Sequence, residues 1–323
     1  MNLQTQIPLK KEAYNPISYD SKILLLGSCF SENIGNKLAY FKFQTNQNPF
    51  GILFHPKAIE SLITNAINEK RYTDKDVFYL NERWHCFEAH SSLSSPNKEE
   101  LLNTLNQQIK STNKQLHEST HLIITLGTAW TYRFIESDTI VANCHKVPQK
   151  KFLKEILSVD EITDSLENIL SLIKSINKKI TITFTVSPVR HLKDGFTQNQ
   201  QSKSHLLSAI HQVIDARSKI HYFPSYEIVM DELRDYRFYT EDMIHPNKTA
   251  IKYIWEKFSD MWISGDSLET MKEVETIQRG SNHKPFNPNS EQHQKFSENI
   301  TRKIVAIKEQ YPFIKFDNYL SLK

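Results

Sequence analysis

"LLLGSCFSENIG", residues 24–35, decides how this chain is read. A run of leucines stops at Gly27, and Ser28, Cys29 and Ser31 come immediately after it. A short apolar run closed by glycine reads as a buried strand, and the residues beyond the glycine read as the start of a helix. That order sets two nucleophile candidates at the carboxyl end of a strand, the edge where open α/β sheets bind ligands. The helix N-terminus would face the same spot, lowering a thiol pKa and offering backbone N–H groups to an oxyanion. A plainer reading stands beside this one: a small cysteine buried in the turn.

Three more apolar runs, 122–126, 180–186 and 220–223, match the first at 22–26. They are rich in Ile, Leu, Val and Phe without strict alternation, as parallel strands covered on both faces are. Between them, apolar residues recur at helical spacing over 58–67, 162–176, 206–214 and 251–262, with Asp160 as a candidate N-cap of the second. Strands alternating with helices predict an α/β domain with a mostly parallel sheet. Residues 77–90 and 131–148 each read as two short strands around a polar turn, inserted near one end of the sheet. Past Gly265 the character changes. Residues 277–296 read as a linker or meandering loop and 300–311 as a last amphipathic helix. The division expected is a domain over 1–264 and an extension over 265–323 that packs back on it or serves a homo-oligomer contact.

Composition narrows the function classes. With 40 basic and 37 acidic residues the net charge is +3, which gives no footprint for nucleic acid or a membrane surface. No apolar run approaches the roughly 18 residues of a membrane helix, and the first twenty residues lack the apolar core of a secretory signal. The three cysteines, Cys29, Cys86 and Cys144, are too few for a disulfide framework. They predict free thiols and a cytoplasmic location.

Far downstream, "RFYTEDMIHPNKTA" (237–250) carries Asp242 and His245 three apart, just before a helix-forming run. A carboxylate at that spacing on a turn can hold Nδ1–H and leave Nε2 free as a base. After the third apolar run, "SPVRHLKDG" (187–195) brings Ser187, Arg190 and His191 to the same sheet edge. Arg190 would suit a substrate carboxylate or phosphate, with a structural ion pair as its competing role. His85-Cys86 and Cys144-His145 are mirror-image pairs, but adjacent strand residues face opposite ways, so each pair yields one ligand at most. No metal site or cofactor is expected, since phosphate-loop and dinucleotide fingerprints are absent too.

"GSCFSENIG", "NPFGILFHP" (48–56), "LGTAWTY" (126–132) and "MIHPN" (243–247) together resemble the GSCFA family, within the SGNH (GDSL-like) hydrolase superfamily. The resemblance implies a three-layer α/β/α sandwich around a mostly parallel, about five-stranded sheet. It also implies a triad whose His and Asp are His245 and Asp242. The superfamily's first motif reads Gly-Asp-Ser; laid on Gly27, it puts Ser28 at the aspartate and Cys29 at the nucleophile. Cys29 is therefore the expected nucleophile, ahead of Ser28. Gly51, with Asn48 close by, matches the superfamily's second oxyanion donor. The third, an asparagine, is missing: Gly127 is followed by Thr128, leaving Thr128 or Asn143 as substitutes.

The function these observations predict is ester hydrolysis or acyl transfer on a small molecule or carbohydrate O-acyl group. The alternative is a ligand-binding protein that keeps the fold but has lost efficient turnover.

Overall fold

Residues 5–281, 286, 287 and 290–316 are described in the computed structural model. The strands are β1 (Lys22–Gly27), β2 (Gln44–Gln47), β3 (Phe78–Leu80), β4 (Arg83–His85) and β5 (His121–Leu126), then β6 (Trp130–Phe134), β7 (Thr139–Val141), β8 (Phe152–Ile156), β9 (Thr181–Val186) and β10 (Ile220–Tyr222). The helices are α1 (Cys29–Tyr40), α2 (Pro56–Ile67), α3 (Lys98–Glu118), α4 (Val159–Ile176) and α5 (Phe196–Val213), then α6 (Ser225–Glu227), α7 (Lys248–Trp262), α8 (Gly265–Ser281) and α9 (Glu291–Gln310).

Five strands make one all-parallel sheet in the order β10-β9-β5-β1-β2. Alternate side chains of β1 point to opposite faces. Leu24 and Leu26 enter one apolar cluster with residues of α2, α3, α4 and α5. Ile23 and Leu25 enter a second with residues of α1, α7, α8 and α9. The result is a three-layer α/β/α sandwich. Its helices are held mainly by such burial: Ile162, Leu166, Ile169 and Ile173 of α4 are fully buried, each contributing about 1.5–3 kcal/mol.

Several elements differ from the sequence reading. The cap of α4 is Ser158, in a reciprocal box with Glu161, and Asp160 instead lies in the first turn. The 21-residue α3 has no counterpart in that reading, although Leu101, Leu105, Ile109 and Leu116 mark its buried stripe. The fifth strand, β2, is the polar tetrapeptide Gln-Thr-Asn-Gln, held by its backbone pairing to β1. The hairpins over 77–90 and 131–148 contain β3–β4 and β6–β7, and β8 joins the latter to make a three-stranded antiparallel sheet.

The segment read as a linker over 277–296 is helical at both ends, belonging to α8 up to Ser281 and to α9 from Glu291; residues 282–285 and 288–289 lie outside the described ones. Met271, Val274, Ile277, Ile300, Ile304 and Ile307 from these helices share the cluster of α1 and α7. Among the described residues, no helix is long and apolar enough to cross a membrane.

Candidate active site

Because the five strands are parallel, their carboxyl ends share one edge. Ser28 comes directly after β1, Asn48 after β2, Gly127 after β5 and Ser187 after β9. The stretches singled out in the sequence thus converge.

The turn between β1 and α1 needs glycine. Gly27 has φ +128°, and a Cβ there would stand 2.1 Å from the Thr125 carbonyl oxygen. Ser28 then caps α1. It is fully buried, its N–H donates to Thr125 O at 3.0 Å, and its Oγ accepts from Phe30 N–H at 3.3 Å. Cys29 is the first residue of α1 and is partly exposed. Of the two nucleophile candidates, only the thiol is free of a capping duty.

The expected lowering of that thiol's pKa does not occur. Burial, and then Glu32 one turn on, push Cys29 up. Lys203 and the N–H groups of Cys29 and Phe30 pull it down, by less.

The 48–51 turn braces the same corner. Asn48 Oδ1 accepts from Gly27 N–H at 2.9 Å, and Asn48 Nδ2 lies 3.5 Å from Glu32 Oε1. The Gly51 N–H donates to Asn48 O at 2.7 Å, so this amide closes the turn rather than facing an oxyanion. Thr128 is likewise engaged: its N–H donates to Phe54 O, and its hydroxyl accepts from Trp130 N–H and bonds Ser202. Asn143 Oδ1 accepts from His145 N–H, inside the hairpin region. The N–H groups of Gly51 and Thr128, expected as oxyanion donors, are therefore already bonded within the fold, and Asn143 is held through its Oδ1.

Ser187 is fully buried, its Oγ accepting from Val189 N–H. Arg190 has no carboxylate partner among the described residues. Its guanidinium lies 4.4 Å from the ring centre of Tyr239 and 5.5 Å from that of Tyr236, and donates to the Tyr239 hydroxyl at 3.2 Å. It lines a cavity of about 210 Å³ together with Arg234, Tyr236 and Tyr239.

Asp242 and His245 form the pair their spacing predicts. Oδ2 lies 2.7 Å from Nδ1, while Oδ1 accepts from the N–H groups of Ile244 and His245 and from the Thr240 hydroxyl. These bonds, that of Thr240 first, hold the Asp242 carboxyl well below the usual range. Both side chains are about half exposed. The loop docks on the segment after β9 through Arg190 N–H and Ile244 O at 3.3 Å. Among the described residues, no direct hydrogen bond joins Cys29 Sγ to the His245 ring.

Two more residues stand at this edge: Lys203, which is not among the candidates the sequence offers, and His191, which is. Lys203, on α5, is 1% exposed and donates to Gly127 O and Ser187 O at 2.7 Å each. Burial brings its pKa down to about 7, opposed by Cys29. His191 lies among Lys203, His245 and Phe54, whose ring meets it edge-on at 5.5 Å. Burial first, and then Lys203 and His245, lower it to about 3, and its buried Nε2 has no partner among the described residues.

The second histidine–cysteine region is structural. His85 bonds Ser94 and Leu80 O, and His145 bonds Cys86 O. Among the described residues, no cluster of His, Cys, Asp and Glu could hold a metal.

An α/β sandwich with a thiol at the edge of its central strand and an Asp–His pair on a docked loop defines the class. The profile of the GSCFA family matches residues 22–258, and that of the GSCFA domain protein, C-terminal domain, matches residues 274–322. The chain belongs to the GSCFA family. No curated protein matches it.

Proposed function

We propose that the chain is an SGNH-type enzyme that hydrolyses or transfers an ester-linked acyl group, with Cys29, His245 and Asp242 as its triad. The observation that carries this reading is the division of labour at the β1–α1 turn. Ser28 is buried and spent on capping, whereas Cys29 is partly exposed at the helix N-terminus.

Cys29 Sγ attacks the acyl carbonyl carbon while its proton passes to His245 Nε2. The tetrahedral intermediate collapses as the carbon–oxygen bond breaks and the leaving oxygen takes that proton. A thioester remains, and water or an acceptor hydroxyl resolves it with His245 again as base. Asp242 fixes the tautomer through Nδ1. Closure of the Asp242–His245 loop brings the ring to the thiol, in keeping with the loose geometry of unliganded sites. The Cys29 N–H and Asn48 Nδ2 are the oxyanion donors. Arg190, flanked by Tyr236 and Tyr239, binds a carboxylate or phosphate on a polar, carbohydrate-like substrate. The free thiols fit a cytoplasmic enzyme.

The alternative, a ligand-binding protein with weak turnover, has a specific observation on its side: the Gly51 and Thr128 amides are already bonded. Turnover separates the two. Hydrolysis of 4-nitrophenyl acetate, and acetyl transfer from acetyl-CoA to sugars, are measured for the wild type and Cys29→Ala. The enzyme reading expects a loss of roughly 10³-fold or more. Equal rates support the binding protein.

A further inference from the structure

A lysine withdrawn from water needs a reason. Burying an ammonium is expensive unless a negative group stands near enough to hold its charge. Lys203 is 1% exposed, and among the described residues no carboxylate pairs with it. Its two partners are neutral carbonyls, Gly127 O at the end of β5 and Ser187 O at the end of β9.

Those carbonyls belong to the edge that carries Cys29. β1 and β5 pair in register up to Gly27 and Thr125, and a Cβ on Gly127 would stand 3.3 Å from Ser28 Cβ. The Lys203 headgroup is thus hung from the two strand ends beside the turn that presents the thiol. The same side chain lines a cavity of about 250 Å³ with Arg190, Tyr226 and Tyr236.

Resting on the acyl-transfer reading, we infer that Lys203 is the charge partner of Cys29, a buried cation that stabilises the thiolate from across the end of β5. No bond to Lys203 forms or breaks. The S–H proton leaves to His245, and the ammonium balances the charge left on sulfur. This accounts for a buried lysine without an acid, and for a thiol whose base stands on a half-exposed loop. Lys203 is a positioning residue here, acting through Cys29.

The charged neighbourhood is small. Facing Cys29 are Glu32, which opposes ionisation, and Lys203, which favours it. Facing Lys203 are Cys29, His191 and the Tyr226 ring, whose centre lies 6.0 Å from Nζ. His245 acts in turn on His191, and Glu32 on His90. Removing the Lys203 charge must therefore make the thiolate harder to form, and removing the Glu32 charge must make it easier.

The test is the pH profile of Cys29 alkylation by iodoacetamide, read by peptide mass on the full chain. Lys203→Met is expected to slow alkylation at neutral pH about tenfold and move the profile to higher pH, with Lys203→Arg largely restoring it. Glu32→Gln is expected to move the profile the other way. A folded Lys203→Met with an unmoved profile overturns the inference and leaves Lys203 as a tie between strand ends.

If Lys203→Met does not fold, the reciprocal measurement decides. By linkage, the NMR titration of the Lys203 Cε in the native sequence should shift to lower pH in Cys29→Ala, and an unshifted titration overturns the pairing. The two proposals fail separately. A moved alkylation profile with no acyl-enzyme retains the Lys203 pairing and removes acyl transfer; normal acylation with an unmoved profile does the reverse.

Discussion

His245 Nδ1 lies 2.7 Å from Asp242 Oδ2 on a single loop, where the same carboxylate also holds two backbone N–H groups and the Thr240 hydroxyl. One side chain therefore sets both the tautomer of the ring and the shape of the loop that presents it. Asp242→Asn should lower acyl transfer by roughly 10²–10⁴-fold, the range for a lost acid–base contribution, with little change in global stability. Steady-state rates and a urea titration on the same variant check both halves. Because the folded carboxyl is held below its ordinary value, the brace is complete above about pH 4 and is lost only on further acidification.

The nucleophile assignment makes opposite predictions for neighbouring residues. Ser28→Ala removes the α1 cap and should cost about 1 kcal/mol while leaving Cys29 alkylation and acylation in place. Cys29→Ala should abolish acylation with little effect on folding. Loss of acylation in a folded Ser28→Ala would move the chemistry to the serine.

Gly27 should tolerate no side chain. Alanine there meets both a strained backbone at φ +128° and the Thr125 carbonyl. We expect Gly27→Ala to lower stability by at least about 2 kcal/mol in urea denaturation. A loss below about 0.5 kcal/mol would contradict the packing described for this turn.

Acidification should destabilise the fold through its buried neutral histidines. His55 is 4% exposed, accepts from Ala58 N–H through Nδ1 and bonds Val141 O through Nε2; burial holds it at about 4. An unfolded histidine titrates near 6.5, so between about pH 6.5 and 4 the unfolded chain binds more protons. This contribution is complete above about pH 6.5 and lost as the pH falls through that window, by on the order of 3 kcal/mol for His55. His55→Asn keeps a capping side chain without the titration and should flatten the fall in urea midpoint from pH 7.5 to 4.5. An equally steep fall in the variant would assign the effect elsewhere.

How much of this is readable in the sequence depends on the force that fixes each element. β1, β5, β9 and β10 are legible because helices cover both faces of the sheet, which demands unbroken apolar runs. β2 is not, because a polar edge strand is held by backbone pairing that leaves no mark on its side chains. The Asp242–His245 pair is legible because it is local, three residues on one turn. The spent amides of Gly51 and Thr128 are not, because their acceptors are set by how loops fold back on one another. Lys203 leaves a trace: continuing the stripe of Leu206, Ile210 and Val213 back one turn lands on it, and a lysine on a buried face is the anomaly to pursue.

The central claim is that Cys29 carries the acyl group. Rapid quenching of the full chain with 4-nitrophenyl acetate, then peptide mass mapping, tests it directly. The account predicts one acetyl group on Cys29, labile to hydroxylamine, retained in Ser28→Ala and slower to clear in His245→Gln. An acetyl group on Ser28, or no covalent intermediate during sustained turnover, would contradict it.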